Sequence, residues 1–150
     1  MAIDRQHLGL TVLRVFLGLF FLFEGLGKIR WFTNPSILAA TFSEWSRLVP
    51  ADSISAWYLH RIAVPGVPIF ARLVPLGELS AGVALLVGFW TPLFALVAFV
   101  MALNFQIASG AVFRYSFLTS GYGLPVLGST LALALAGTRR RTLVKGGSRV

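Results

Sequence analysis

Four apolar runs divide this chain, at residues 8–29, 72–90, 92–110 and 117–137. Each approaches the roughly 20 residues a helix needs to cross a bilayer. None alternates with the period of two expected of a half-buried strand, and the runs are too few and too long for a closed barrel. The expected fold class is therefore all-α and integral to the membrane: a four-transmembrane-helix bundle, one domain over residues 1–138. Between the second and third runs, Gly88-Phe89-Trp90-Thr91-Pro92 forms a tight turn. Thr91 suits a helix N-cap and Pro92 the first helical position, and so short a link makes the two helices antiparallel.

The first run has two faces. At about 100° per residue, Arg14, Leu17, Gly18, Phe21, Glu24, Gly25 and Lys28 share one arc of about 120°. Val15, Phe16, Leu19, Leu22, Phe23 and Leu26 cover the other side. The first arc is expected to face protein, with Gly18 and Gly25 allowing close helix approach, and the second to face lipid. Arg14 lies toward the other end of this arc from the acids, where it is expected to snorkel to headgroups or to bond carbonyls in the bundle.

The connection from Trp31 to Pro68 is long for a small bundle, and long loops tend to be functional. Within it, Ile37, Leu38, Phe42, Trp45 and Leu48 are spaced for an amphipathic helix over Ser36–Leu48, expected to lie on the membrane surface. Trp31, Trp45, Trp57 and Tyr58 are expected to form an interfacial aromatic belt. The loop between the first two spans is thus read as long and partly interfacial-helical.

Composition agrees with lipid as the solvent. Hydrophobic residues make up 57% of the chain and charged ones 12%, against about 25% charged in soluble domains. The apolar N-terminal run is interrupted by Arg14 and lacks an A-x-A-like cleavage site, so the first helix is expected to be retained rather than cleaved as a signal peptide. Cysteine is absent, which excludes disulfides, thiolate nucleophiles, iron–sulfur clusters and cysteine zinc sites. His7 and His60 fall outside the spans and on opposite sides of the predicted membrane, which argues against an intrinsic haem; no metal site is expected. The formal net charge is +8, with Arg139, Arg140, Arg141, Lys145 and Arg149 gathered at the C-terminus. Residues 139–150 are read as a basic, disordered cytoplasmic tail facing anionic lipid, and not as a nucleic-acid patch. That reading places both termini inside, although Lys28, Arg30, Arg47 and Arg61 lie in the loop on the opposite side.

Five acidic residues occur in the chain, and Glu24 and Glu78 sit inside apolar runs. Intramembrane carboxylates are expensive and therefore candidate functional groups. The antiparallel order puts both roughly 7–9 Å below the same, outer, surface at about 1.5 Å rise per residue. Asn104 and Gln106 fall at similar depth, about 200° apart on their helix and so unable to share one pocket. Lys28, Arg72 and Arg114 are expected at the rim, with Tyr115 and Tyr122 nearby. Two carboxylates at one depth repel unless a cation lies between them. The bland reading is charge compensation: Glu24 with Lys28, in the favourable i,i+4 order, and Glu78 with Arg72 or Arg114. The functional reading is a cavity in which Glu24 and Glu78 are candidate catalytic groups. Lys28, Arg72, Tyr122 and one or other of Asn104 and Gln106 are the candidates to contact a quinone or a small anion there.

Two stretches resemble the DoxX/DoxD family of small membrane proteins. One is the R-x-x-x-G…F-x-x-x-G-x-x-K pattern from Arg14 through Gly18 and Gly25 to Lys28. The other is Gly77-Glu78, Gly82 and Gly88 followed by Thr91-Pro92. The resemblance implies a four-helix bundle in a bacterial or archaeal cytoplasmic membrane, with Gly18, Gly25, Gly77 and Gly82 at helix contacts. It also implies a subunit of a quinone-linked respiratory or sulfur-oxidising complex, with no intrinsic cofactor, bound lipid, and other subunits as partners. An accessory subunit of a respiratory or photosynthetic complex, contributing contacts but no chemistry, is the alternative. A small transporter or membrane chaperone is a weaker one.

Overall fold

The longest helices are those whose apolar runs the sequence marks most strongly. The computed structural model describes residues 5–136, which contain no strand. Among them, α1 (Arg5–Gly27), α4 (Val67–Val87) and α5 (Thr91–Ala108) are long and apolar enough to cross a membrane. The shorter helices are α2 (Ser36–Leu48), α3 (Ile54–Tyr58), α6 (Ser116–Thr119) and α7 (Leu124–Ala136). Single 3-10 turns occupy Ile29–Phe32 and Ala111–Phe113, and a π turn, Leu59–Ala63, continues α3. The proposed tail, 139–150, lies outside the described residues, as does the last residue of the run 117–137.

Three boundaries differ from expectation. The run 117–137 is divided into α6 and α7 by a turn in which Gly123 packs against the Phe117 carbonyl, where a Cβ would collide with backbone. The described part of α7, 13 residues, covers about 20 Å of the roughly 30 Å hydrocarbon layer. The second span starts at Val67 rather than residue 72, because Pro68 is tolerated in a first turn and Val67 and Ala71 find a buried face. Finally, Trp90, not Thr91, precedes α5; it takes a left-handed conformation, φ 42°, and Thr91 lies inside the helix.

Small residues set the α1–α4 register. A Cβ on Gly18 would lie 2.9 Å from Leu86 N, one on Gly25 2.9 Å from Leu79 N, and one on Gly82 2.5 Å from Leu22 N. The two backbones therefore touch along an antiparallel seam, as small residues permit in membranes. Gly77 faces elsewhere, toward Met101 of α5. At the far end the Arg14 guanidinium lies over Gly88, the left-handed residue closing α4.

Two apolar cores result. Leu17, Phe21, Ala81, Leu85, Ala98 and Leu133 anchor the first, inside the bundle. Trp31, Leu38, Phe42, Leu59, Ala71 and Ala108 belong to the second, a cap formed where the loop between α1 and α4 folds over one end. Part of the α2 stripe packs into this cap, with Leu38 and Phe42 buried, while Ile37 and Leu48 of the same stripe stay exposed. The aromatic residues of that loop differ in exposure. Trp31 is buried, Trp45 packs on Phe42 and Phe105, and Trp57 alone of the tryptophans in that loop is well exposed.

Candidate functional site

Between the two cores lies a polar layer, and its centre is Lys28. The helical spacing of Glu24 and Lys28 puts them one turn apart, while α1 ends at Gly27 and the chain turns toward Trp31. Lys28 Nζ donates to Glu24 Oε2 at 2.7 Å and to Glu78 Oε1 at 2.8 Å, with a longer bond of 3.4 Å to the Glu24 carbonyl. One ammonium thus joins both intramembrane acids. It also sits 6.0 Å from the Trp31 ring centroid and 5.8 Å from that of Phe105, where aromatic faces favour a cation.

Glu78 is the deeper partner. Its side chain is 6% exposed, against 32% for Glu24. It lies about 16 Å along α4 from the helix start, yet level with Glu24, because α4 projects past the end of α1 into the cap. Pro75, one turn earlier, is fully buried and supplies no N–H to the helix. Glu78 Oε2 is buried and has no hydrogen-bond partner among the described residues. Such an atom in a native interior calls for an explanation.

Glu78 also contributes to the wall of a cleft of about 90 Å³. Phe20, Phe21 and Glu24 of α1, Glu78 of α4, and Ala102, Phe105 and Gln106 of α5 line it, with Tyr122 and Val126 closing the remaining side. Gln106 Nε2 donates to the Tyr122 carbonyl at 2.9 Å, and the Tyr122 ring packs on Phe20 at 5.5 Å. The exposed Tyr122 therefore forms the mouth.

The other expected site residues go elsewhere. Arg72 is exposed and donates to its own helix, to the Pro68 carbonyl at 2.6 Å. Arg114 donates to the Leu48 carbonyl at 2.6 Å. Neither reaches an acid, so the expectation that Arg72 or Arg114 compensates Glu78 is corrected: Lys28 does so. Asn104 points away from Gln106, as their angular separation requires, and donates to the Tyr58 hydroxyl at 2.6 Å. Tyr115 is 82% exposed and does not line the cleft. Residues the sequence did not single out are Phe20, Phe105, Ala102 and Val126. Apolar walls in an apolar chain carry no compositional signal.

The arrangement sets two carboxyl side chains, Glu24 and Glu78, in an otherwise largely apolar lining. It is poorly suited to a small anion. Two carboxylates and one ammonium carry a formal charge of −1 when all are ionised, and every Lys28 proton already has an acceptor.

The sequence model of the DoxX family matches residues 9–110, more than half of the chain, so the protein belongs to the DoxX family. It is a membrane protein of that family, with three helices of spanning length among the described residues. No curated protein and no solved structure matches it. The matched segment contains Glu24, Lys28 and Glu78, while Tyr122 and Val126 lie beyond it.

Proposed function

We propose that this chain is an integral subunit of a quinone-linked redox complex in a bacterial or archaeal cytoplasmic membrane, and that the cleft beside Glu78 meets the quinone. The observation that carries this reading is the pair of carboxylates, Glu24 and Glu78, joined by Lys28 in the wall of an aromatic cleft. Lys28 holds both carboxylates in place, Phe20 and Phe105 flank a ring, and Glu78 takes or returns a proton. A quinone supplies two-electron chemistry when bound. No redox motif accompanies it in the sequence, so a partner subunit supplies the electron path. In this reading α7 completes a fourth crossing, both termini lie inside, and the polar layer sits near the outer face, bathed by bound lipid.

The accessory-subunit reading draws on a different feature. Leu8, Val12, Phe16, Leu19, Phe23 and Leu26 leave one side of α1 exposed and wholly apolar, a surface for lipid or for a larger complex. There the Glu24–Lys28–Glu78 trio is charge compensation alone.

Glu78→Gln in the native complex separates the two. With subunit composition verified after mild detergent extraction, quinone-dependent turnover is expected to fall by about 100-fold, the scale of a lost general acid–base group. Unchanged turnover in an intact complex would leave the accessory role.

A further inference from the structure

Lys28, Arg72 and Arg114 each have an acceptor: the two acids, the Pro68 carbonyl and the Leu48 carbonyl. Arg14 does not. Among the described residues its guanidinium has no hydrogen-bond or ion-pair partner. Yet it lies inside the spanning stretch of α1, half-buried, about 14 Å along the helix from Arg5. A cation at that depth is expensive without a partner. The acids among the described residues are all toward the opposite end. Glu24 follows Arg14 by ten residues, about 15 Å of helix. Glu78 precedes Gly88 by as much, and Glu44 and Asp52 belong to the loop that folds over the far end.

Gly88 sets the place of this cation. The guanidinium lies on the Gly88 Cα, in the space a side chain would fill, and Gly88 closes α4 in the left-handed conformation, φ 79°. Arg14 is therefore level with the α4–α5 turn, while α1 runs on for another nine residues, about 14 Å, to Arg5. The turn is recessed by that length. Its side chains are apolar and exposed apart from the half-buried Thr91. Val87 is 71% exposed, and Phe89 and Trp90 stack nearly parallel at 5.4 Å, in the outward position of aromatic residues at a headgroup boundary. Leu93 continues the exposed apolar surface onto α5.

A free guanidinium fork matches the oxygens of a phosphate. The hydrocarbon around it gives a soluble anion nothing, whereas a phospholipid uses both features. The headgroup must also carry net negative charge. A zwitterionic one brings an ammonium beside Arg14, and no described acid is near enough to receive it. We propose that Arg14, on Gly88 and beside the Phe89–Trp90 stack, binds the phosphate of an anionic phospholipid. The lipid belongs to the leaflet at this end of the bundle, opposite the Glu24–Lys28–Glu78 layer. Its acyl chains lie along Val87 and Leu93. The site is independent of the cleft and of what the cleft binds.

The test is native mass spectrometry of the full-length protein released from detergent micelles. About 0.5 M ammonium acetate screens the basic C-terminal residues. The probes are phosphatidylglycerol, phosphatidylethanolamine with matched chains, and inorganic phosphate. Wild type is expected to retain one phosphatidylglycerol, preferred over phosphatidylethanolamine by about 10-fold, the scale of a charge-assisted hydrogen-bonded pair. Excess inorganic phosphate should not displace it. Arg14→Gln should lower phosphatidylglycerol binding to the level of phosphatidylethanolamine. Arg72→Gln, an exposed arginine at the other end, should leave it unchanged. The lipid preference and the phosphate competition are read on the wild type, so the proposal stays refutable if Arg14→Gln does not fold. Equal retention of the two lipids overturns it, as does a preference that survives Arg14→Gln or falls equally in Arg72→Gln. Displacement by inorganic phosphate would make this a site for soluble anions and overturn the lipid assignment.

Discussion

Replacing Lys28 with methionine keeps most of the side-chain length and removes the charge that two acids share. The consequence differs between the two. Glu24, with 32% of its side chain exposed, can turn its carboxylate to water, so loss of that pair is worth about 0–1 kcal/mol. Glu78, with 6% exposed and one oxygen already lacking a partner, has no such exit. Removing one member of a buried pair leaves an uncompensated charge and destabilises by about 3–5 kcal/mol. Lys28→Met is therefore expected to lose about 3 kcal/mol or more. The decisive comparison is the double variant Lys28→Met with Glu78→Gln. Making residue 78 neutral removes the stranded charge, so the double variant should be more stable than Lys28→Met alone by about 1–2 kcal/mol, within the range of couplings between contacting residues. Unfolding in mixed micelles by titrated dodecyl sulfate, followed by tryptophan fluorescence, gives the three stabilities on one scale; Trp31 stands close enough to Lys28 to report on the layer. If Lys28→Met stays within about 0.5 kcal/mol of wild type, or the double variant falls by the sum of the singles, Lys28 does not hold Glu78 in the bundle.

Helix contact gives a paired prediction: Gly82→Ala sets a Cβ 2.5 Å from Leu22 backbone and should cost about 1–3 kcal/mol. Gly77→Ala meets only the Met101 side chain, at 2.6 Å from Sδ, which can swing aside, so its loss should stay below about 1 kcal/mol in the same titration. Asn104→Ala and Tyr58→Phe each remove the 2.6 Å bond between α5 and α3; each should lose about 0.5–1.5 kcal/mol, and the pair together little more than either. Ser55, 1% exposed, donates at 2.6 Å to the Ile107 carbonyl in the last turn of α5. Ser55→Ala removes that side-chain donor while the carbonyl keeps the Gly110 N–H at 3.0 Å, so stability should fall by about 0.5–1.5 kcal/mol, with faster amide exchange at the end of α5.

Much of the architecture is readable along the chain because it is local. The apolar runs locate α1, α4 and α5, and the spacing of Ile37, Leu38, Phe42, Trp45 and Leu48 marks α2 at Ser36–Leu48, where the structure has it. One turn of helix suffices to pair Glu24 with Lys28, and the angle between Asn104 and Gln106 foretells that only one can enter the cleft. The same reasoning fails for α6 and α7. A break there depends on Gly123 meeting the Phe117 carbonyl, a contact that hydropathy does not register.

By itself, then, the sequence determines that this is a helical membrane chain with two acids in apolar surroundings, since solvent preference and helical period belong to each segment alone. Which cation answers Glu78 is a property of the assembled helices. Backbone contact at Gly18, Gly25 and Gly82 sets the α1–α4 register that brings Lys28 within 2.8 Å of it. The early start of α4 and the cap over its first turns leave Arg72 on the outside, bonded to its own helix. The buried, unpartnered oxygen of Glu78 and the cleft lined by both acids exist only because four separate stretches of chain close around one layer. No single helix carries that information.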